Sequence, residues 1–161
     1  MDQVLLSSQR MDWETPRWLV DKINDRWGLR TLDVCATEEN RKCEFFITTE
    51  QDAFIGRWPG GKAFMNPPYG SSVGKWIRLA AERAWAGEVD DIICLIPSRT
   101  DTRYWHDYVM RAREVCLLRG RIRFVGAPHP APFPSCMVIF QQGSTTPMLT
   151  SMDIRKPKED K

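Results

Sequence analysis

The stretch AFMNPPYG, residues 63–70, carries an apolar segment straight into two prolines. Proline has no backbone N–H to donate, so neither Pro67 nor Pro68 suits a helix interior or a central strand. Ala63, Phe64 and Met65 therefore read as a buried strand that stops abruptly at Asn66, with Tyr69 just past the break. In open parallel sheets ligands bind outside the carboxyl ends of the strands. An abrupt strand end carrying an amide and an aromatic ring is thus a candidate site.

Outward from this point, helical and strand patterns alternate. TPRWLVDKINDRWG reads as a helix with Thr15 as cap, Pro16 in the first position and Gly28 as the stop. Trp18, Leu19, Ile23 and Trp27 fall on one of its faces. RTLDVCA and CEFFIT read as short strands. SVGKWIRLAAERAWAG is an amphipathic helix with Val73, Trp76, Ile77, Ala80, Ala84 and Trp85 to one side. DIICLIP is a continuous apolar strand of the kind found in the middle of a parallel sheet. DTRYWHDYVMRA reads as a helix capped by Asp101, and EVCLLRG, RIRFVG and CMVIFQ as three late strands ending in a hairpin. The expected fold class is α/β, three-layered, with a mostly parallel sheet and an antiparallel edge. Residues 1–143 are expected to form a single domain. The polar, aperiodic residues 144–161 are expected to form a flexible tail.

At 161 residues the chain is long enough for one real core. No apolar run approaches the length of a membrane span, and the first residues lack the basic region of a signal peptide. A cytoplasmic setting and no membrane partner are the expectation. Cys35, Cys43, Cys94, Cys116 and Cys136 are odd in number and widely spaced, and neither His106 nor His129 lies near a cysteine pair. Reduced, packed thiols and no metal site follow. Ser98, His106 and Asp107 do not make a hydrolase triad: there is no Gly-x-Ser-x-Gly elbow, and adjacent helical residues do not face each other.

Three strand ends carry polar or irregular residues: Asp33 and Thr37 after one, Asn66 after the second, Ser98 and Arg99 after the third. If the three strands are parallel neighbours, these ends line one crevice. In Asn66-Pro67-Pro68-Tyr69 the prolines hold the loop rigid, and the carbonyl of Pro67 and the side-chain oxygen of Asn66 offer two acceptors. Two close acceptors suit a planar –NH2 group, and Tyr69 offers a face on which a planar ring can stack. Drawing on both hydrogens localises the nitrogen lone pair and improves a poor nucleophile.

Asn66-Pro67-Pro68-Tyr69 resembles motif IV of the amino-methyltransferases that use S-adenosylmethionine. WETPRWLVDKI, LDVCAT, QDAF, NPPYG, IPSRTDTRYWHD, RGRIRF and APFPS together resemble the small phage-type DNA N6-adenine methyltransferases, from about Trp13 to Phe140. The resemblance implies a class I methyltransferase-like Rossmann fold, S-adenosylmethionine as cofactor, and a setting in a bacterial host or a phage-infected cell. It also implies a flipped adenine of double-stranded DNA held by Asn66, Pro67, Pro68 and Tyr69. Asp33 stands where the family has its motif I acid, Thr15 and Pro16 in the segment that meets the cofactor's methionine part, and Asp52 with Phe54 beside its adenosine. The implied chemistry is direct displacement at the methyl carbon, without metal or covalent intermediate.

One departure is structural. The glycine-rich turn expected after Asp33 is replaced by Cys-Ala-Thr-Glu-Glu, and only residues 34–64 separate Asp33 from Met65. Two βα units of roughly 30 residues each do not fit there, so one is expected to be missing or collapsed.

The stretch from residue 99 to 123 is rich in arginine, and Arg99, Arg103, Arg119, Arg121 and Arg123 are the candidate DNA-phosphate contacts. Arg121 and Arg123 are expected on one face of a strand, Ile122 and Phe124 on the other. Methylation of RNA or protein glutamine is the alternative within the same chemistry. A non-catalytic DNA-binding relic of the fold is the alternative outside it.

Overall fold

The computed structural model describes residues 13–48 and 51–156. Helix α1 (Arg17–Trp27) leads into β1 (Leu32–Asp33), β2 (Phe45–Phe46) and β3 (Lys62–Met65). Helix α2 (Val73–Trp85) follows, then β4 (Asp91–Pro97), the short helix α3 (Arg103–Asp107) and a 3-10 turn at Val109–Arg111. The chain closes with β5 (Glu114–Arg119), β6 (Ser135–Phe140) and β7 (Met148–Asp153).

The seven strands form one sheet in the order β2-β1-β3-β4-β6-β5-β7. The pairs β1/β2, β1/β3, β3/β4 and β5/β7 are parallel, while β6 runs antiparallel to both β4 and β5. The sheet is therefore mixed and mostly parallel. Because β6 opposes both neighbours, β5 and β7 run with β4, and the carboxyl ends of β1, β3, β4, β5 and β7 all emerge at one end. All of β4 is buried, as its unbroken apolar run requires at the centre of a covered sheet.

The other end of the sheet is fastened by a buried ion pair between Arg30 and Asp91. The guanidinium also donates to the carbonyls of Gly28 and Trp27 at 3.0 and 2.7 Å. A buried charge pair is tolerable only when its remaining hydrogen-bonding groups are satisfied in this way. α1 ends where expected: Gly28, at φ 89°, returns its N–H to the Asn24 carbonyl.

Several sequence expectations are corrected. The residues after Gly143 do not all form a loose tail, since Met148–Asp153 pair along the whole of β5. Their side chains are largely exposed and carry no apolar rhythm. The strand is held by its backbone ladder, by Thr150 Oγ1 donating to Glu114 at 2.6 Å, and by Arg26 donating to the Ser151 carbonyl at 2.9 Å. The late strands β5 and β6 do pair antiparallel, but across the long 120–134 segment, and β6 lies inside the sheet between β4 and β5 and not at an antiparallel edge. Residues 121–124 are not a strand, although Ile122 and Phe124 are buried and Arg121 and Arg123 exposed. Alternation persists there because the two apolar side chains anchor a loop. α3 is broken at Tyr108, and Thr102, not Asp101, stands at its N-cap. Trp18 is exposed, so it does not share the buried face of α1. Trp13 and Trp58 are buried outside any helix.

Between β1 and β3 the described residues contain no helix. Parallel strands are usually linked through a helix, yet β1 and β2 are joined by residues 34–44 without one, and β2 reaches β3 through turns.

Candidate active site

β1 and β3 are parallel neighbours with Asp33 opposite Phe64, so Asp33 and Asn66 leave the sheet at the same end, and both line a cleft of about 580 Å³. That volume suits a ligand of nucleoside size or somewhat larger. The sequence-derived candidates Thr15, Asp33, Asp52, Phe54, Asn66 and Pro68 all line it. Pro16, Pro67 and Tyr69 do not, and neither do Ser98 and Arg99, although β4 lies beside β3 in parallel.

Asp33 is buried, and its two oxygens are engaged by the chain itself. Oδ1 accepts from the Cys35 N–H at 3.3 Å and Oδ2 from the Lys42 N–H at 3.0 Å. Within the loop so anchored, Thr37 N–H donates to Asn40 Oδ1 at 2.7 Å and Asn40 N–H to Thr37 Oγ1 at 3.2 Å. These side-chain bonds hold the turn, which contains no glycine. Burial pushes the Asp33 carboxyl up to about 6, against the opposing pull of the two N–H donors and the Lys42 charge. Lys42 reaches across to Glu14 at 2.9 Å, and both line the cleft.

Thr15 does not cap α1. Pro16 occupies the N-cap position, its carbonyl accepting from the Leu19 and Val20 N–H groups, and no side chain caps the helix. The Thr15 hydroxyl instead accepts from Asn66 Nδ2 at 2.9 Å. Asn66 Nδ2 also donates to the Trp13 carbonyl. Asn66 Oδ1 is buried and has no partner among the described residues.

Asp52 has a left-handed backbone, φ 50°, which aspartate tolerates by bonding locally; its Oδ1 accepts the Phe54 N–H at 2.9 Å. The Phe54 ring stands edge-on to Trp76 with centroids 4.7 Å apart, and Trp76 lines the cleft beside it.

Tyr69 is placed differently from a free stacking platform. Its ring is buried, edge-on to Phe124 and Phe133 at 6.2 and 5.6 Å, and its hydroxyl donates to the Leu95 carbonyl at 3.1 Å. Burial raises its phenol well above the usual range, so it remains a donor. Phe124 and Phe133 belong to the segment 120–134 that leaves β5, and Val125 N–H from this segment donates to the Glu14 carbonyl at 3.0 Å.

The chain matches the family model described as DNA N-6-adenine-methyltransferase (Dam) over residues 3–153. It belongs to the Dam family of DNA N-6-adenine methyltransferases. Among its relatives is the DNA N-6-adenine-methyltransferase of Haemophilus phage HP1, 28% identical over 115 residues, covering 70% of this chain and 65% of that protein. The enzyme of the same name from Escherichia phage T1 is 30% identical over 104 residues, covering 64% of this chain and 42% of that protein. The matched part is thus less than two thirds of the length of either relative. Methyltransferases of the Dam family use S-adenosylmethionine.

Sequence reasoning did not place Trp76, Lys42 or Glu14 at the cleft they line. Trp76 counted as a core residue because helical periodicity cannot separate the rim of a face from its centre. Lys42 and Glu14 sit on irregular segments, and only their pairing across the cleft reveals them. The arginines emerge at the carboxyl end of the sheet: Arg99 just beyond β4, Arg119 at the end of β5, Arg121 and Arg123 in the following segment. All four and Arg103 are exposed. Among the described residues no helix is long and apolar enough to cross a membrane.

Proposed function

We propose that this chain transfers a methyl group from S-adenosylmethionine to the N6 amine of adenine in double-stranded DNA, on a class I methyltransferase-like Rossmann fold. On this reading the fold is three-layered and shortened between β1 and β3. The observation that carries the reading is the Asn66 oxygen, a buried acceptor without a partner at the end of β3. A buried acceptor left unpaired costs about 1–3 kcal/mol, and native structures reserve such groups for a purpose. An amine presented by a ligand removes the cost.

The cleft fits the cofactor by the nature of its lining. Phe54 and Trp76 offer aromatic surface to a purine, and Asp52 and Glu14 offer carboxylates to hydroxyl or ammonium groups. Bound there, S-adenosylmethionine would supply an activated methyl on a sulfonium, a leaving group that needs no further activation. The chain's own contribution is orientation and hydrogen bonding. Asn66 Oδ1, with the carbonyl of Pro67, takes the hydrogens of the target amine and concentrates the nitrogen lone pair. Orientation of this kind supplies several kcal/mol of the roughly 7–11 available from proximity.

Tyr69 would stack on the base once Phe133, which is only half-buried, moves aside. The adenine must leave the duplex at a cost of a few kcal/mol. Arg99, Arg103, Arg119, Arg121 and Arg123 would meet phosphates at the same end of the molecule, positioning the duplex without reading its sequence. Pro16, buried behind the cleft, would fix the course of the chain past Thr15.

The test is methyl transfer from labelled S-adenosylmethionine to DNA, RNA and protein in parallel. Label appearing as N6-methyladenine in DNA supports the reading. Label confined to RNA or to protein glutamine would move the substrate class, and no affinity for the cofactor would leave a binding module.

A further inference from the structure

We propose that Thr15 is a positioning residue that takes the second hydrogen of the Asn66 amide and so holds it in the orientation the Trp13 carbonyl selects, leaving its oxygen and not its nitrogen for the substrate amine. The inference rests on the reading of Asn66 as the amine's acceptor and adds what makes it one.

A carboxamide is nearly symmetric in shape, so packing alone does not choose between its two orientations. Hydrogen-bond partners do. The Trp13 carbonyl can only accept, so the group that faces it must be the –NH2. The Thr15 hydroxyl takes the other hydrogen at 2.9 Å. Both hydrogens are then used, and Oδ1 is the one polar atom of the amide left unpaired. A flipped amide would set oxygen against the Trp13 carbonyl and lose that bond, while the Thr15 hydroxyl, which can donate as well as accept, would still hold whichever end it meets. It would also offer a second donor to an amine that needs acceptors. The chain places Thr15 there deliberately in a physical sense: its hydroxyl is not spent on capping α1, for which Pro16 supplies the N-cap carbonyl. The side chain is almost fully buried, 2% exposed, so solvent cannot replace the bond.

Thr15→Val keeps the shape and removes the acceptor, while Thr15→Ser keeps the acceptor. Asn24, Asn40 and Asn66 are the only asparagines in the chain, so asparagine-selective 15N labelling reports the Asn66 –NH2 among three signals. In the wild type both Asn66 amide hydrogens should exchange slowly. In Thr15→Val one should exchange faster, single-turnover methylation should fall about tenfold or more, and cofactor affinity by calorimetry should change by less than about threefold. Thr15→Ser should restore both rate and exchange. Weakened cofactor binding with unchanged Asn66 signals would overturn the proposal and make Thr15 a cofactor contact. Unchanged rate and unchanged signals would overturn it outright. Should Thr15→Val not fold, rapid exchange of either Asn66 hydrogen in the wild type overturns the proposal, and slow exchange of both, lost in Thr15→Ala, supports it. A wild type that methylates no DNA defeats the proposed function instead, while the exchange data still judge the orientation.

Discussion

The Asp33 carboxylate accepts the backbone N–H of Lys42 at 3.0 Å, nine positions along the chain, while its other oxygen accepts that of Cys35. One strand-end acid thus gathers both ends of the 35–42 loop and sets a wall of the cleft. On the proposed function, Asp33 would shape the cofactor site at least through this loop, while each oxygen keeps a further lone pair.

The burial of Asp33 makes stability depend on pH in a direction that can be worked out. Its carboxyl sits at about 6 in the folded chain against an ordinary 3.8. Between these values the folded state holds a proton that the unfolded state has released. The associated stability is full below about pH 4 and is lost as pH rises through about 6. Asp33→Asn should remove this component, on the order of 2 kcal/mol, and give a flatter difference curve in urea denaturation at pH 4, 5, 6 and 7. Parallel curves for the two proteins would show that Asp33 does not titrate in that window. The variant should also bind S-adenosylmethionine less well, since an amide accepts only one of the two N–H groups.

The helices around AFMNPPYG and the central strand were legible because burial imposes a rhythm on sequence. Leu19 and Ile23 pack inward from α1, and DIICLIP is buried throughout. The polar strand ends of β1 and β3 were legible because a parallel sheet offers its carboxyl ends to ligands. β7 was not, since MLTSMD is held by backbone pairing and by Thr150 and Arg26, which leave no apolar signature. RIRF alternated like a strand, yet alternation reports only which side chains are buried, not whether a neighbouring backbone is there to pair. The assignment of Thr15 as a cap used the right residue type at the wrong task, because its partner, Asn66, is 51 positions away.

Tyr69→Phe should cost about 1 kcal/mol of stability, the worth of the hydrogen bond to the Leu95 carbonyl, and leave methylation within a few-fold. Tyr69→Ala should cost about 3–5 kcal/mol by emptying an aromatic site in the core and should also impair capture of the base. Thermal melts and single-turnover assays separate the two effects. Equal loss of methylation in Phe and Ala variants would shift the role from the ring to the hydroxyl.

Trp76→Ala should weaken S-adenosylmethionine binding by roughly 1–3 kcal/mol if its ring meets the cofactor's purine beside Phe54. Calorimetry checks this directly. Wild-type affinity in a folded Trp76→Ala protein would place the purine elsewhere in the cleft.

Arg99 and Arg103 are the cleaner test of DNA contact, because Arg121 and Arg123 also donate to the carbonyls of Ala131 and Ala127 and so shape the 120–134 segment. The surface pair of Arg103 with Asp107, at 3.6 Å, contributes little to stability. Replacing Arg99 and Arg103 together by Ala should make the log–log salt dependence of DNA binding shallower by about 0.9 for each lost phosphate contact. The set of methylated adenines should stay the same. An unchanged slope would place both side chains away from the DNA, and an altered site preference would mean that one reads a base.

The most direct measurement is nucleoside mass spectrometry of adenine-unmethylated DNA after incubation with S-adenosylmethionine and either the wild-type chain or Asn66→Ala. The wild type should produce N6-methyldeoxyadenosine. Asn66→Ala should keep its fold and cofactor affinity yet produce it on the order of 10²-fold more slowly, the usual loss for one oriented polar contact at a reacting centre. Wild-type protein that binds the cofactor but leaves adenine unmodified, or an Asn66→Ala variant as fast as the wild type, would contradict the account.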